Sequence, residues 1–326
     1  MSEPLRSSRD PVHPRPPTAA GAAAKKGKSD LAARLVTASI LIPFVLFATA
    51  QGGLWVLFTV VVVVVLTQRE LYGLLEDKGA RPVVGFGLAA GAALPVVAYI
   101  GNEYHATVLM TMTLIAVMIA QLRRRQVTEA MASISGTFFG VFYVGWLLSH
   151  VIPLRFFTER IVTDEGAETA ARLGLVPQSG AFLLVYCLTV VVLCDAGAYF
   201  AGRAYGKRKL APSISPSKTV EGAIGGLLLG TFGGAAMKVI FDVLWPGLST
   251  VLGWGLVFTI GPLVAAAGMV GDLVESLLKR DAQVKDAGAM LPGMGGFLDR
   301  LDSILLGVPV MYYLMLFHVW LQVRTS

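Results

Sequence analysis

Residues 54–72 read LWVLFTVVVVVVLTQRELY, an almost uninterrupted apolar run. Its six consecutive valines, Val60 to Val65, have the propensity of a β-strand. An isolated strand in lipid would leave its backbone groups unpaired, whereas a helix satisfies them internally. The run is also long enough to cross a bilayer core of about 30 Å as a helix. We therefore predict a transmembrane helix here.

Similar stretches lie on both sides of this run, and the composition agrees with them. The chain of 326 residues is 55% hydrophobic and only 15% charged, whereas soluble domains carry about 25% charged residues. This composition excludes an ordinary water-soluble globular protein. We predict an all-α, polytopic integral membrane protein with about nine transmembrane helices. The other eight predicted spans are 35–51, 83–100, 106–122, 134–152, 180–201, 222–244, 252–275 and 304–323.

Three regions follow from this pattern. Residues 1–30 hold five of the sixteen prolines and a basic cluster at residues 25–28, so we predict a disordered N-terminal tail. It lacks the apolar stretch and cleavage pattern of a signal peptide. Residues 31–180 form the N-terminal transmembrane helices, and residues 181–326 form the C-terminal catalytic transmembrane region.

The positive charges predict the orientation of these spans. With the basic N-terminus on the cytoplasmic side, the inside segments carry 22 of the 27 Lys and Arg residues, and the outside segments carry four. The two long polar loops after residue 200 then face the cytoplasm. We therefore expect a polar active site on the cytoplasmic side of the cell membrane.

The cysteines and histidines of the chain indicate no chemistry of their own. The two cysteines, Cys187 and Cys194, lie in one apolar run, and the four histidines are scattered. This pattern supports neither a disulfide framework nor a Cys- or His-based metal site.

The first polar segment after residue 180 is Asp195 to Gly202, at the end of an apolar span. A carboxylate in that position costs free energy of membrane insertion unless a cation or a polar partner offsets it. Two interpretations stay open. Asp195 is either a headgroup-level acid paired with Arg203 or Lys207, or a group that binds a cation or orients a substrate.

The second segment, Ser213 to Gly222, fits a helix start with Ser215 as N-cap and Pro216 at the first helical position. Lys218 would then oppose the helix dipole unless an anion is bound there too. Free backbone N–H groups, the hydroxyls of Ser215, Ser217 and Thr219, and the Lys218 ammonium would together form a phosphate site. The alternative is a loop lysine that obeys the positive-inside rule.

The third segment is the densest in charge. Asp272, Glu275, Ser276 and Lys279 are spaced three and four apart, so they share one helix face. Asp299 and Asp302 are likewise three apart at the start of the last helix, after the glycine-rich run 293–296.

Neighbouring carboxylates repel each other unless a cation neutralises them. Oxygen ligands without Cys or His select Mg²⁺, which commonly uses one or two carboxylates together with substrate phosphates. Asp286 offers a further oxygen from the same loop. Carboxylates for Mg²⁺ beside a Ser/Thr/Lys pocket indicate phosphoryl or nucleotidyl transfer.

These residues resemble a known family. SLLKR at 276–280, Lys285 and Asp286, and PGMGGFLDRLD at 292–302 closely resemble the signature of the phosphatidate cytidylyltransferases, or CDP-diacylglycerol synthases. Segments 195–202 and 215–222 resemble two further stretches of that family. One position departs, because the family pattern usually has His where this chain has Met294.

The resemblance implies attack of a phosphatidate oxygen on the α-phosphorus of CTP, releasing pyrophosphate and forming CDP-diacylglycerol. Phosphate monoesters have a second pKa of about 6, so no general base is required. The implied cofactor is Mg²⁺, with K⁺ as a candidate second ion. The predicted metal ligands are Asp272, Asp286, Asp299 and Asp302. Asp286, Asp299, Asp302, Lys279 and Lys285 are the predicted catalytic group, and Ser215, Ser217, Lys218, Thr219, Arg280, Arg300 and Asp195 the predicted substrate-binding group.

The predicted partners are CTP, phosphatidic acid and the lipid bilayer, with no nucleic acid, and a homodimer is a candidate assembly. Two alternatives stay open. A CTP-dependent lipid-alcohol kinase would share the metal and phosphate groups but transfer the γ-phosphoryl group. An ion-coupled transporter would place its decisive acids near the middle of the membrane.

Overall fold

Helices dominate the fold, as the apolar stretches predict. The computed structural model describes residues 19–101, 103–124, 128–288, 290–291 and 295–324. Within these ranges, seven helices are long and apolar enough to span a membrane, and two shorter apolar helices cover residues 35–51 and 84–100. The predicted polytopic fold with about nine spans is confirmed.

The helices are α1 (Ala19–Gln51), α2 (Gly53–Asp77), α3 (Val84–Ile100), α4 (Glu103–Leu122), α5 (Ala130–Gly140), α6 (Leu147–Ser149), α7 (Val151–Arg155), α8 (Phe157–Glu165), α9 (Ala167–Arg172), α10 (Ser179–Tyr205), α11 (Val220–Leu244), α12 (Trp254–Asp281) and α13 (Leu298–Arg324). A π-helical turn, Val141–Trp146, joins α5 to α6, so that residues 130–155 form one continuous apolar span.

The structure differs from the prediction at the N-terminus. Helix α1 begins at Ala19, inside the range 1–30 that the sequence predicts as a disordered tail. Five of residues 19–24 are alanine, the strongest helix former, and this local propensity accounts for the earlier start. Residues 1–18 lie outside the described residues.

A two-stranded antiparallel sheet is the second difference from the prediction, which is an all-helical fold. Strand β1 (Lys209–Ala211) pairs with β2 (Ser215–Thr219), and Ala211 lies opposite Ser215. Each of these two residues precedes a proline, and a residue before proline is pushed towards extended conformations. The prolines therefore favour a hairpin at this point.

Polar contacts fasten the N-terminal helices to one another. Gln68 of α2 donates a hydrogen bond to the carbonyl oxygen of Gly87 in α3, at 2.8 Å. Tyr72, also in α2, donates to the carbonyl oxygen of Thr137 in α5, at 2.9 Å. A Cβ on Gly140 would overlap the Tyr72 ring. A glycine at this position therefore allows the two helices to approach.

Small residues bring α10 and α11 into close contact. A Cβ added to Gly197 of α10 would lie 2.7 Å from the carbonyl oxygen of Gly225 in α11. Such close approach through small residues is a common way to pack helices in membranes.

Helix α13 packs into two of the three hydrophobic cores found among the described residues. Its residues Val308 and Met311 belong to the core of the C-terminal helices. Leu298 and Leu305 belong to the core formed with α2 and the span 130–155. Because α13 belongs to the cores of both halves, the packing does not separate them at residue 180, and this division of the chain stays a prediction.

Candidate active site

Three carboxylates converge at one end of the bundle. Asp272 and Glu275 lie one turn apart on α12, and Asp302 lies in α13 beside them. One oxygen from each of these side chains lies within 4.8 Å of the others. Gly271 makes the approach possible, because a Cβ there would overlap the carbonyl oxygen of Asp302. We refer to Asp272, Glu275 and Asp302 as the acid cluster.

Lys279 links the acid cluster to a fourth carboxylate. Its Nζ lies 2.6 Å from an oxygen of Glu275, which is fully buried, and 2.8 Å from Oδ1 of Asp299. Asp299 also accepts backbone hydrogen bonds from Ala287 at 3.0 Å and Gly296 at 2.9 Å. Asp299 therefore holds the loop between α12 and α13 in place.

A second lysine reaches the cluster from the hairpin. Nζ of Lys218 in β2 lies 2.8 Å from Oδ2 of Asp272. On the neighbouring helix α10, Asp195 accepts a hydrogen bond from the Ser303 hydroxyl at 3.2 Å. Arg203 donates instead to the Tyr199 hydroxyl at 3.1 Å. The hydrogen bond from Ser303 joins Asp195 to α13, the helix that carries Asp302. The described contacts show no pairing of Asp195 with Arg203.

A cavity of about 390 Å³ opens beside these groups, between α10, α11 and the hairpin. Both acidic and basic side chains line it, so it can receive a polar ligand that carries negative charge and a bound cation. The side chains that give it this character are Asp195, Arg203, Ser217, Lys218, Thr219 and Asp272.

The predicted helix start at Ser215 is wrong. Residues 215–219 form β2, and α11 begins at Val220 with Thr219 as its N-cap. The Thr219 hydroxyl accepts a hydrogen bond from the backbone N–H of Gly222 at 3.1 Å. Both Ser and Thr suit an N-cap, but pairing of β2 with β1 keeps Ser215 extended. Lys218 therefore lies outside the helix and faces Asp272 rather than the helix dipole.

The other predicted site residues lie around this centre. Ser215 is buried and its hydroxyl lies 3.5 Å from that of Ser217. Arg280 donates to the carbonyl oxygen of Ile214 at 3.3 Å, which fastens α12 to the hairpin. Lys285, Asp286 and Arg300 are exposed. Met294 and the glycine at 293 lie outside the described residues.

The structure therefore groups the four predicted metal ligands differently from what the sequence indicates. The structure brings Asp272 and Asp302 together and adds Glu275 to them. Asp299 is joined to this group through Lys279, and Asp286 is exposed on the loop after α12. The all-oxygen donor set of the acid cluster fits Mg²⁺. Among the described residues, five carboxylates meet only two lysines here, an acidic excess that a divalent cation would balance.

The sequence reasoning missed Glu70. This acid of α2 is 5% exposed and accepts a hydrogen bond from the backbone N–H of Leu298, at 2.9 Å. A Cβ on Gly296 would overlap the same carboxylate, at 2.5 Å from Oε2. The sequence offers one signal for Glu70, namely its place at the end of the long apolar run 54–72, where burial of a carboxylate costs free energy.

Comparisons with known proteins give this geometry a context. A family model described as the cytidylyltransferase family matches residues 32–318. The chain is 41% identical over 145 residues to a phosphatidate cytidylyltransferase of Haemophilus influenzae, covering 43% of this chain and 48% of that protein. Identity is 41% over 138 residues to the enzyme of that name from Bacillus subtilis, covering 42% and 49%. These matches span about half the length of those two relatives. A third relative of the same name, from Synechocystis, is 29% identical over 294 residues, covering 86% of this chain and 94% of that protein.

Proposed function

The chain belongs to the cytidylyltransferase family, and from this premise we propose that it transfers the cytidylyl group of CTP to phosphatidic acid. The products are CDP-diacylglycerol, which stays in the membrane, and pyrophosphate. The observation that carries the proposal is the acid cluster, which lies beside Lys218 and a cavity at the end of membrane-spanning helices. The relatives named phosphatidate cytidylyltransferase support the choice of substrates.

Asp272, Glu275 and Asp302 would hold Mg²⁺ in this proposal. The metal would neutralise phosphate charge and polarise the α-phosphorus of CTP. Asp299 has a different role, because its oxygens already accept bonds from Lys279 and from two backbone N–H groups. It positions the first turn of α13 and, with it, Asp302.

The lysines would bind the phosphates. Lys218 lines the cavity, and its buried ammonium lies 2.8 Å from Oδ2 of Asp272, so it would share its charge between that carboxylate and a phosphate bound there. Charge-assisted hydrogen bonds to phosphate are strong, and they can orient both reactants. An oxygen of the phosphatidate forms the new bond to the α-phosphorus, and the bond from that phosphorus to the pyrophosphate oxygen breaks. The phosphatidate phosphate is largely ionised at neutral pH, so the chain need not supply a base.

We place the site at the cytoplasmic face. The C-terminal ends of α2 and α12 and the start of α13 lie together at the end of the bundle that holds the site, as the Glu70–Leu298 and Lys78–Asp281 contacts require. The loops at this end carry most of the basic residues, which fits the positive-inside rule. CTP would arrive from the cytoplasm and phosphatidic acid from the inner leaflet.

Two labelled substrates separate this proposal from the lipid-alcohol kinase. Detergent-purified protein receives CTP labelled at the α- or the γ-phosphate, with phosphatidic acid or diacylglycerol as acceptor. We expect label in the lipid only from α-labelled CTP with phosphatidic acid. Label from γ-labelled CTP in diacylglycerol would instead establish the kinase. An ion-coupled transporter fits less well, because the acid cluster lies at one end of the bundle rather than near its middle.

A further inference from the structure

A second cavity, of about 880 Å³, lies at the same end of the bundle as the acid cluster. Residues from the end of α2, the start of α3, the end of α4 and the start of α5 line it. Lys78, two residues after the lining residue Glu76, forms an ion pair with Asp281 of α12 at 3.0 Å, which fixes the end of the bundle. We call it the basic cavity, and its polar side chains are Glu76, Arg81, Gln121, Arg124, Thr128 and Ser133.

Two arginines, Arg81 and Arg124, give this cavity its positive charge. The one acid among the described residues that line it, Glu76, forms an ion pair with Arg69 at 3.4 Å. The Arg124 guanidinium donates to the backbone carbonyl oxygens of Arg81 and of Pro82, the latter at 3.2 Å. A guanidinium has five N–H donors. The carbonyl bonds therefore fix its position and leave donors for an anion.

Gln121 gives the cavity a second polar feature. It is 8% exposed, and its Oε1 has no hydrogen-bond partner among the described residues. A buried amide without a partner costs free energy, so it needs an explanation. An amide accepts or donates, depending on which of its two ends faces the ligand. A hydroxyl group does both, so a ligand that carries hydroxyls satisfies Gln121 in either orientation.

The cavity lies at the level of the lipid headgroups. Helices α2 and α4 are both long and apolar enough to span a membrane, and both end beside it, at Glu76 and Gln121. Basic pockets between transmembrane helices at the membrane surface bind anionic headgroups. Arginine suits this role, because its planar set of donors matches the oxygens of a phosphate.

We propose that the basic cavity binds the headgroup of an anionic phospholipid that carries free hydroxyls, as phosphatidylglycerol does. Its phosphate pairs with Arg81 and Arg124, and a headgroup hydroxyl pairs with Gln121. This site is separate from the acid cluster and requires no cytidylyl transfer. A water-soluble phosphate ester offers the same polar groups, so the experiment includes one.

Native mass spectrometry of the full-length protein in detergent measures the affinity for each ligand. The lipids are phosphatidylglycerol, phosphatidylmethanol, which has the same charge without the hydroxyls, and zwitterionic phosphatidylcholine. We expect phosphatidylglycerol to bind about tenfold more tightly than phosphatidylcholine, with phosphatidylmethanol between them. Equal affinity for phosphatidylglycerol and either other lipid would overturn the inference. Equally tight binding of glycerol phosphate, which has no acyl chains, would overturn the assignment to a lipid.

Gln121→Leu tests the hydroxyl contact without disturbing the fold. The side chain keeps a similar size and loses an amide that has no partner in the protein, so the melting temperature should stay at or above that of the wild type. The Kd for phosphatidylglycerol should rise about two- to tenfold, the effect of one hydrogen bond, while the Kd for phosphatidylmethanol stays the same. Wild-type affinity for phosphatidylglycerol in this variant contradicts the inference.

Two arginine variants separate the cavity from general surface charge. Arg124→Ala should weaken binding of both anionic lipids about tenfold or more. Arg123→Ala removes the same charge from the neighbouring residue, which is exposed and does not line the cavity. Its Kd values should stay within about twofold of wild type, because exposed charges are screened by salt. Equal losses in the two variants would refute a specific site.

Lys218→Ala separates the basic cavity from the acid cluster. Lys218 lies beside Asp272 and lines the other cavity, so its removal should leave the affinity for phosphatidylglycerol within about twofold of wild type. Loss of phosphatidylglycerol binding in this variant would place the lipid at the acid cluster and overturn the inference. None of these measurements depends on turnover, so they remain decisive even if the chain transfers no cytidylyl group.

Discussion

The Glu70 carboxylate accepts a hydrogen bond from the backbone N–H of Leu298 at 2.9 Å, although the two residues are 228 positions apart in sequence. Leu298 is the first residue of α13, so its N–H has no partner within the helix. A carboxylate is also favourable at the positive end of a helix dipole. One acid of α2 thus fixes the start of the helix that carries Asp299 and Asp302.

Removing this acid should loosen the active site. Glu70→Ala leaves a buried N–H without a partner, so we expect a loss of about 1–3 kcal/mol in stability, with a reduced kcat. Glu70→Gln keeps an acceptor oxygen and should recover most of both losses. Thermal unfolding in detergent and steady-state kinetics provide the measurements.

Glu76→Ala is the control on the same helix. Glu76 forms an exposed ion pair with Arg69 at 3.4 Å, and such pairs contribute less than about 1 kcal/mol. If Glu70→Ala were as stable and as active as Glu76→Ala, the proposed role of Glu70 would have to be abandoned.

Lys218 should govern the affinity for phosphate. Lys218→Ala removes a charge-assisted hydrogen bond of about 1.5–3 kcal/mol, which corresponds to a rise in KM of about 10- to 150-fold for CTP or phosphatidic acid. Lys209→Ala, on the other strand of the hairpin and exposed, should change KM by less than about twofold. Similar KM values for the two variants would place the phosphate site elsewhere.

Close packing between α10 and α11 should not tolerate an added methyl group. Gly197→Ala would place a Cβ 2.7 Å from the carbonyl oxygen of Gly225, and overpacking of this kind typically destabilises by about 1–3 kcal/mol. Gly73→Ala in α2 meets nothing within 4 Å, and alanine should improve the helix by up to about 1 kcal/mol. Melting temperatures that move in the same direction for both variants would contradict this packing.

The membrane-spanning helices could be predicted because lipid leaves the backbone few alternatives. The nine predicted apolar stretches correspond to nine apolar helices in the part of the chain that the structure describes, seven of them long enough to span a membrane. The shared helix face of Asp272 and Glu275 was predictable from their spacing alone. The helix start at Ser215 was not, because Ser215 and Thr219 both suit an N-cap, and strand pairing with β1 decided between them.

The contact of Glu70 and the π-helical turn at 141–146 could not be predicted from local sequence. Glu70 meets Leu298 across most of the chain, and no spacing rule covers such a distance. Residues 141–146 form a π-helical turn, which has no signature in the sequence VFYVGW. The choice between Asp286 and Glu275 as metal ligands likewise depends on how α12 and α13 pack, which only the three-dimensional structure gives.

Binding of Mn²⁺, a paramagnetic substitute for Mg²⁺, tests the central claim that Asp272, Glu275 and Asp302 hold the metal. Electron paramagnetic resonance counts free and bound Mn²⁺ in detergent without relying on turnover. We predict one site in the wild type, at least tenfold weaker binding in Glu275→Gln and Asp302→Asn, and binding within about twofold of wild type in Asp286→Asn. Loss of the site in Asp286→Asn, with wild-type binding in Glu275→Gln, would contradict the account.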